Sequence, residues 1–243
     1  MNAEHPEHHH GDHEHDHLDH LDPLAHVAQV EHPDAVAEAR ANAGRAVRDL
    51  GHALVGHAAP IELIDRVTST LDALSAELEA HAARQRAQER QSGDWGPPPA
   101  DGETMTSYEE RPVSGRSSPW GLDLHIVRDG PEAVARLTLR AAHEGAPGRS
   151  HGGIVAALFD DVYGFVLTIH SQAAFTGELG IRYEAGTPIG RPLECRVRQI
   201  RRDGRKLHMT GELTDTTNDT VVARSTATFI AIDPSHFAAG ADA

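Results

Sequence analysis

The sequence predicts an α+β fold, in which antiparallel strands surround one apolar central helix and two amphipathic helices come before them. Between residues 120 and 235, two segments with alternating apolar side chains precede a long apolar run at 151–170, and four more such segments follow it. Residues 34–91 instead repeat apolar side chains every three or four positions. A hydrophobic content of 39% is sufficient for a core of this size.

The N-terminal segment, residues 1–33, is predicted to be a disordered polar tail. Ten of the nineteen histidines lie in it, interspersed with Asp and Glu. Such a composition cannot bury enough apolar surface to offset the loss of chain entropy. Imidazole and carboxylate groups at this density predict opportunistic binding of divalent metals by the tail, with no metal expected in the C-terminal domain. A tail without a specific role is the alternative. Residues 236–243 are also expected to form a tail.

Two amphipathic helices are predicted within residues 34–91. One apolar stripe runs from Val36 to Leu54, and the other from Ile64 to Leu78. Pro60 lies between them at a position suited to the start of a helix, so a short antiparallel hairpin is expected. Such a hairpin would leave each stripe half covered. We therefore expect it to pack on the C-terminal domain or on a second copy of the chain.

The segment 92–119 is rich in proline and glycine, and is predicted to be a linker or an extended segment lying over the next domain. The expected strands of that domain alternate in hydropathy and are separated by turn residues. They lie at 122–127, 133–140, 177–186, 193–202, 206–215 and 221–232.

Charge and composition exclude several classes of partner. A net charge of −15 argues against nucleic acid, since phosphate binding needs a concentrated basic surface. No stretch approaches the ~20 uninterrupted apolar residues of a membrane span, and the first thirty residues do not resemble a signal peptide, so a cytoplasmic location is expected. The single cysteine, Cys195, cannot form an internal disulfide and is expected to be a buried thiol in a strand.

The motif with the clearest chemistry opens the apolar run. His151 is followed by two glycines, Gly152 and Gly153, and by Asp160 nine residues after the histidine. Glycines at a helix start let a ligand approach the backbone, where N–H groups without partners lie at the positive end of the helix dipole. Such donors suit an oxyanion formed at an attacked carbonyl. For this motif in isolation, structural glycines at a tight turn are the default interpretation.

Helical spacing distinguishes Asp160 from its neighbour Asp161. One helix face is bulky and is expected to face the sheet. Its residues are Ile154, Leu158, Val162, Phe165 and Ile169. Another face carries Asp160 among small residues and suits a narrow ligand channel. These small residues are Gly153, Ala156, Ala157 and Gly164. Asp161 lies about 100° further around the helix. Of the two carboxylates, Asp160 is therefore the one expected to face a ligand, and Asp161 is expected to be a structural acceptor or the alternative reactive group.

These features resemble the phenylacetic-acid-type and THEM-type acyl-CoA thioesterases of the hotdog-fold superfamily. The resemblance rests on the HGG motif, on Asp160 with Thr176 sixteen residues later, and on the strand TGELGIRYEAG that runs into a turn before the next strand. It implies a hotdog fold for residues 120–235, with an antiparallel sheet wrapped around a long central helix. It also implies hydrolysis of an acyl-CoA thioester to a free acid and CoA. No cofactor is expected, because CoA is part of the substrate.

The resemblance also assigns roles to particular residues. The Gly152 amide would bind the oxyanion, and Asp160 would act as a general base toward water or as a nucleophile. Thr176 would hydrogen-bond the carboxylate or the attacking water. His151 would orient the substrate carbonyl or cap the helix. The other expected substrate contacts lie on the same helix: Gly153, Ala156 and Tyr163.

A shared active site follows from the same helix. Gly152 and Asp160 would lie about 12 Å apart along a straight helix, too far to act on one carbonyl carbon. We therefore expect each site to combine two subunits of a homodimer, or of a dimer of dimers (homotetramer).

Two other functions remain as alternatives. A hotdog dehydratase or hydratase would need a histidine and an acidic residue over the acyl chain, in motifs that are not found here. A non-catalytic acyl-CoA-binding or metal-sequestering protein would not need Asp160, Thr176 and both glycines.

Overall fold

The computed structural model describes residues 35–84 and 97–232 of the 243-residue chain. The predicted tails, and with them the expected metal binding by the N-terminal tail, lie outside these ranges. The described helices are α1 (Ala35–Gly56), α2 (Ile61–Glu79), a 3₁₀-helix (Ala141–His143) and α3 (Gly152–Ile169). The strands are β1 (Thr104–Met105), β2 (His125–Asp129), β3 (Glu132–Thr138), β4 (Ala174–Tyr183), β5 (Pro192–Asp203), β6 (Lys206–Asp215) and β7 (Thr220–Ala231).

The strands form one antiparallel sheet in the order β1-β2-β3-β5-β6-β7-β4. Helix α3 packs against β3, β4 and β5, so the sheet surrounds it. Every strand predicted from alternation is present. The predicted α+β class is therefore confirmed.

The core lies between α3 and the sheet. Phe159, Tyr163 and Phe165 of α3 are completely buried, as is Cys195 of β5, which confirms the prediction of a buried thiol. By length and composition, α3 is the one helix in the described ranges that could cross a membrane, and 67% of it is buried inside the protein. Such burial is expected of an apolar helix that a sheet encloses.

The proline- and glycine-rich segment before β2 belongs to the domain. In its described part, β1 pairs with β2, and Met105 and Val113 are buried in the core cluster. Of the two alternatives, the structure has the extended segment lying over the domain. Proline and glycine prevent a regular period, but they do not prevent single side chains from being buried.

The two N-terminal helices are present as predicted, and α2 begins directly after Pro60. The predicted antiparallel hairpin is wrong, since α1 and α2 do not pack along one another. Within residues 61–79, no side chain is buried, so the second apolar stripe is uncovered.

Packing of the apolar stripe of α1 on the domain, one of the two expected alternatives, is not observed, and packing on a second copy of the chain stays a prediction. The buried face is Ala41, Gly44, Arg48 and His52, whereas Val36, Val47 and Leu54 are about half exposed. Gly44 allows close approach, because a Cβ there would lie 2.5 Å from the Ser117 carbonyl oxygen. Arg48 and His52 on this face are hydrogen-bonded to groups of the domain, and these polar contacts decided which face of α1 is buried.

Candidate active site

Helix α3 begins at the predicted motif. His151 is its N-cap, and its Nδ1 accepts a hydrogen bond from the Gly153 N–H at 3.0 Å. Of the two roles expected for His151, the structure shows the one in which it caps the helix. Among the described residues, the Gly152 N–H has no acceptor. The first turn of α3 therefore presents a free amide donor at the positive end of the helix dipole.

Tyr183 of β4 holds this helix start in place. Its hydroxyl donates to the Gly152 carbonyl oxygen at 2.8 Å. A Cβ on Gly152 would lie 3.0 Å from that hydroxyl oxygen, so a glycine there lets the strand and the helix start approach closely. Sequence reasoning did not identify Tyr183, because its partner is 31 residues away.

Asp160 and Thr176 are brought together. The Thr176 hydroxyl donates to Asp160 Oδ1 at 2.8 Å, and both residues are exposed in the single chain. Asp160 Oδ2 accepts no hydrogen bond among the described residues. The carboxylate thus has one oxygen oriented by a neutral donor and one oxygen open to solvent. This is the contact that the sixteen-residue spacing indicated, and the catalytic roles of both residues stay predictions.

A β-bulge explains how one strand reaches both ends of this site. Thr176 pairs with Phe229, and Glu178 pairs with the adjacent Thr228, so the extra residue is Gly177. In a regular strand, Thr176 and Tyr183 would face opposite sides, because they are an odd number of positions apart. The bulge changes the alternation, so both side chains face α3.

Asp161 points away from Asp160 and into the protein. Arg111 Nε donates to Asp161 Oδ1 at 2.5 Å, and Arg111 Nη2 donates to the Asp161 carbonyl oxygen at 2.8 Å. Burial raises the pKa of the Asp161 carboxyl, and the charge of Arg111 opposes that shift. Asp161 therefore has the structural acceptor role that was expected of it.

The Arg111–Asp161 pair supports a stability prediction. Both side chains are more than nine-tenths buried, so removing one leaves an uncompensated charge in the core. We expect Arg111→Met to lower the free energy of unfolding by about 3–5 kcal/mol, measured by chemical denaturation. In the double variant Arg111→Met/Asp161→Leu, most of this loss should be recovered. A single variant within about 1 kcal/mol of wild type would contradict this account.

The remaining predicted substrate contacts divide into two groups. Gly153 is exposed and Ala156 half-buried, on the same face of α3 as Asp160. Tyr163 is completely buried, and its hydroxyl is 2.8 Å from the Ser225 hydroxyl on β7. The prediction that Tyr163 contacts the substrate is wrong, because the sheet covers that part of the helix.

In the two described ranges, no group of three or more His, Cys, Asp or Glu side chains is arranged to hold a metal ion. The groups around Gly152 and Asp160 are instead an amide, a hydroxyl and a carboxylate. Such a set can orient a water, transfer a proton and stabilise an oxyanion.

Comparison with known proteins relates this geometry to a family. Residues 148–222, which include Gly152, Asp160, Thr176 and Tyr183, match the model of the thioesterase superfamily. The chain is 34% identical over 89 residues to acyl-coenzyme A thioesterase THEM5 of Mus musculus. The match covers 36% of this chain and 35% of that protein, so the chain spans about a third of the length of this curated relative.

A solved structure described as a thioesterase superfamily protein is also similar. The similarity covers 79% of this chain and 94% of the other, with a TM-score of 0.65 and 23% sequence identity. At this identity, the likeness shows the fold alone. It confirms the hotdog fold that was predicted from the sequence. Residues 148–222 are therefore similar in sequence to the thioesterase superfamily, and they lie within a domain of hotdog fold.

Proposed function

We propose that this protein hydrolyses an acyl-CoA thioester to a free acid and CoA. The observation that carries the proposal is the 2.8 Å hydrogen bond from Thr176 to Asp160 on an exposed face of α3. The free Gly152 amide at the start of the same helix supports it. The curated relative, which is itself named an acyl-coenzyme A thioesterase, supports the choice of substrate class.

Asp160 acts on water or on the carbonyl carbon. Its Oδ1 is held by Thr176, so Oδ2 is free to take a proton from water or to attack directly. As water adds to the thioester carbonyl, the oxygen that becomes negative accepts a hydrogen bond from the Gly152 N–H. Collapse of this intermediate breaks the C–S bond, and the departing CoA thiolate takes up the proton that Asp160 removed from water. If Asp160 instead attacks directly, it displaces the CoA thiolate to give a mixed anhydride, which water then hydrolyses to the free acid and the restored carboxylate. The products are the free acid and CoA.

The separation of these groups requires a second subunit. Gly152 and Asp160 lie eight residues apart in α3, about 12 Å along its axis. We propose that Gly152 of one subunit and Asp160 of another act on the same thioester. Each chain then contributes to two sites, as in a symmetric dimer.

The edge of the sheet suggests where the subunits meet. The ten-residue strand β4 pairs with β7 on one side and ends the sheet on the other. A long free edge is a template for pairing with another strand. Most β4 residues are exposed on both faces, including Phe175 at 48% and Tyr183 at 51%. Because β4 also carries Thr176, a dimer formed along this edge places the second subunit beside Asp160.

The direct test measures CoA release from a panel of acyl-CoA thioesters with a thiol reagent. We expect at least one substrate to give kcat/KM above about 10⁴ M⁻¹ s⁻¹, a typical lower value for enzymes. Treatment with a chelator should not change this value. The panel runs from acetyl to palmitoyl and includes phenylacetyl-CoA.

Two controls distinguish the alternative functions. Binding of acyl-CoA by calorimetry without release of thiol would indicate a non-catalytic binding protein. Hydration of an enoyl-CoA without loss of the thioester would indicate a hydratase. Either result, with no hydrolysis of any thioester in the panel, would overturn the proposal.

A further inference from the structure

Helix α1 is attached to the hotdog domain by specific polar contacts. Arg48, which is 7% exposed, donates to the carbonyl oxygens of Ser118 at 2.5 Å and Arg116 at 2.9 Å. It also forms an ion pair with Asp123 at 2.6 Å. One residue further, Asp49 accepts from Arg140 at 2.6 Å. These directional contacts hold α1 at one rotation and register on the domain.

One turn after Arg48, α1 contacts the 3₁₀-helix. His52 Nδ1 accepts a hydrogen bond from the Ala142 N–H at 3.1 Å, and its ring lies edge-on to that of His143, with centroids 4.6 Å apart. His143 Nδ1 in turn accepts from the Arg140 N–H at 3.0 Å. Two imidazoles therefore satisfy amide donors at the start of this short helix, where a 3₁₀-helix lacks its own acceptors.

In both rings, Nδ1 must be unprotonated to accept these hydrogen bonds. Burial lowers the pKa of His143 to about 4 and also lowers that of His52. The charge of Arg140 lowers the pKa of both rings as well, while Asp123 opposes the shift. The two imidazoles are therefore acceptors near neutral pH.

The 3₁₀-helix is hydrogen-bonded to His151, the residue that precedes the candidate oxyanion donor Gly152. The His143 carbonyl oxygen accepts from the His151 N–H at 2.9 Å, and Glu144 forms an antiparallel bridge with Ser150. The hydrogen bond between His143 and His151 thus closes the base of the loop 144–150. The next amide along the chain after His151 is that of Gly152. Two consecutive hydrogen bonds, at the Ala142 and His151 amides, connect His52 of α1 to the start of α3.

We propose that His52 is a positioning residue, which acts through the 3₁₀-helix and His151 to hold the Gly152 amide where the oxyanion forms. The inference rests on the proposed thioester hydrolysis. An oxyanion donor is effective only when it is already in place, and misplacement of a reacting group by about 1 Å can cost on the order of 10²-fold in rate. Helix α1, which lies outside the segment matched to the family, is then part of the catalytic apparatus of this chain.

The test compares His52→Leu with His52→Asn in the full chain. Leucine fills the space without an acceptor, whereas the asparagine Oδ1 can replace Nδ1 as the acceptor for Ala142. We expect His52→Leu to lower kcat about tenfold with KM nearly unchanged, because the oxyanion bond exists only in the transition state. His52→Asn should recover most of the loss. The exposed Val47→Ala on the same helix is the matched control and should have wild-type kinetics.

Hydrogen exchange gives a readout that does not depend on activity. In His52→Leu, the amides of Ala142 and His151 should exchange faster than in wild type and in Val47→Ala. Unchanged exchange at both amides, together with unchanged kcat, would overturn the proposal. If the wild-type chain hydrolyses no acyl-CoA, the proposed function fails, while exchange still decides whether His52 controls the loop. If His52→Leu does not fold, His52→Phe retains a flat ring against His143, and equal kcat in His52→Phe and His52→Asn would overturn the proposal.

Discussion

Replacement of Asp160 by Asn is expected to lower kcat/KM by about 10²–10⁴-fold, the usual contribution of a positioned general base. This corresponds to about 3–5 kcal/mol in the activation free energy. Asparagine has nearly the same shape, and its Oδ1 can still accept from Thr176, so the fold should be unchanged. The group that is lost is the basic, nucleophilic oxygen. Steady-state CoA release and thermal unfolding of the same preparation measure the two effects.

Asp161→Asn is the matched control for that variant, since the same chemical change is made one residue along the helix. It weakens the buried contact with Arg111, so it should lower the melting temperature. Below that temperature, the folded protein should retain most of its kcat/KM. A folded, inactive Asp161→Asn beside an active Asp160→Asn would reverse the assignment of the two carboxylates.

Recovery of activity in mixed dimers is the second large effect that we expect. Gly152→Pro removes the donor N–H and should lower kcat by about 10²–10³-fold. When it is mixed with Asp160→Asn and the subunits exchange, each mixed dimer has one site with both changes and one with neither. About half of the sites in a mixed dimer should then be active. Activity should therefore rise from near zero as exchange proceeds.

The backbone at this position is suited to the proline substitution. His151 has φ −63° and ψ 136°, a conformation compatible with a following proline, and the first position of a helix tolerates proline well. Gly152→Ala is the matched control, because it adds the Cβ that meets Tyr183 but keeps the N–H. Any loss of activity in Gly152→Ala measures the effect of the added Cβ alone, so Gly152→Pro should lose clearly more activity than Gly152→Ala. Exchange of subunits between two folded variants without recovery would show that the oxyanion donor lies in the same chain as Asp160.

Local sequence patterns were sufficient for the main elements of this protein. The alternation in six segments predicted the sheet, and the helical period in the apolar run predicted the burial of Leu158 and Val162, although α3 is buried on all sides at 161–169. That period also separated the exposed Asp160 from the buried Asp161. These predictions succeeded because each depends on residues within a few turns of one element, where side-chain direction follows from backbone geometry.

Contacts between distant parts of the chain were decided by the tertiary structure alone. Arg111 lies 50 residues before Asp161, in a segment whose irregular sequence has no period to place it. Tyr183 reaches Gly152 only because the bulge at Gly177 changes which side chains of β4 face the helix.

The N-terminal helices show the same limit. Hydropathy predicted the apolar stripe of α1 as its packing face, yet the buried face is the one that carries Arg48 and His52. Their burial is favourable only because backbone carbonyls, Asp123 and the Ala142 amide lie opposite them. A pattern within one helix cannot show which polar groups the rest of the chain will bring to it. The sequence by itself therefore determined the elements and the position of Asp160, while the partners of each buried polar group depended on the folded chain.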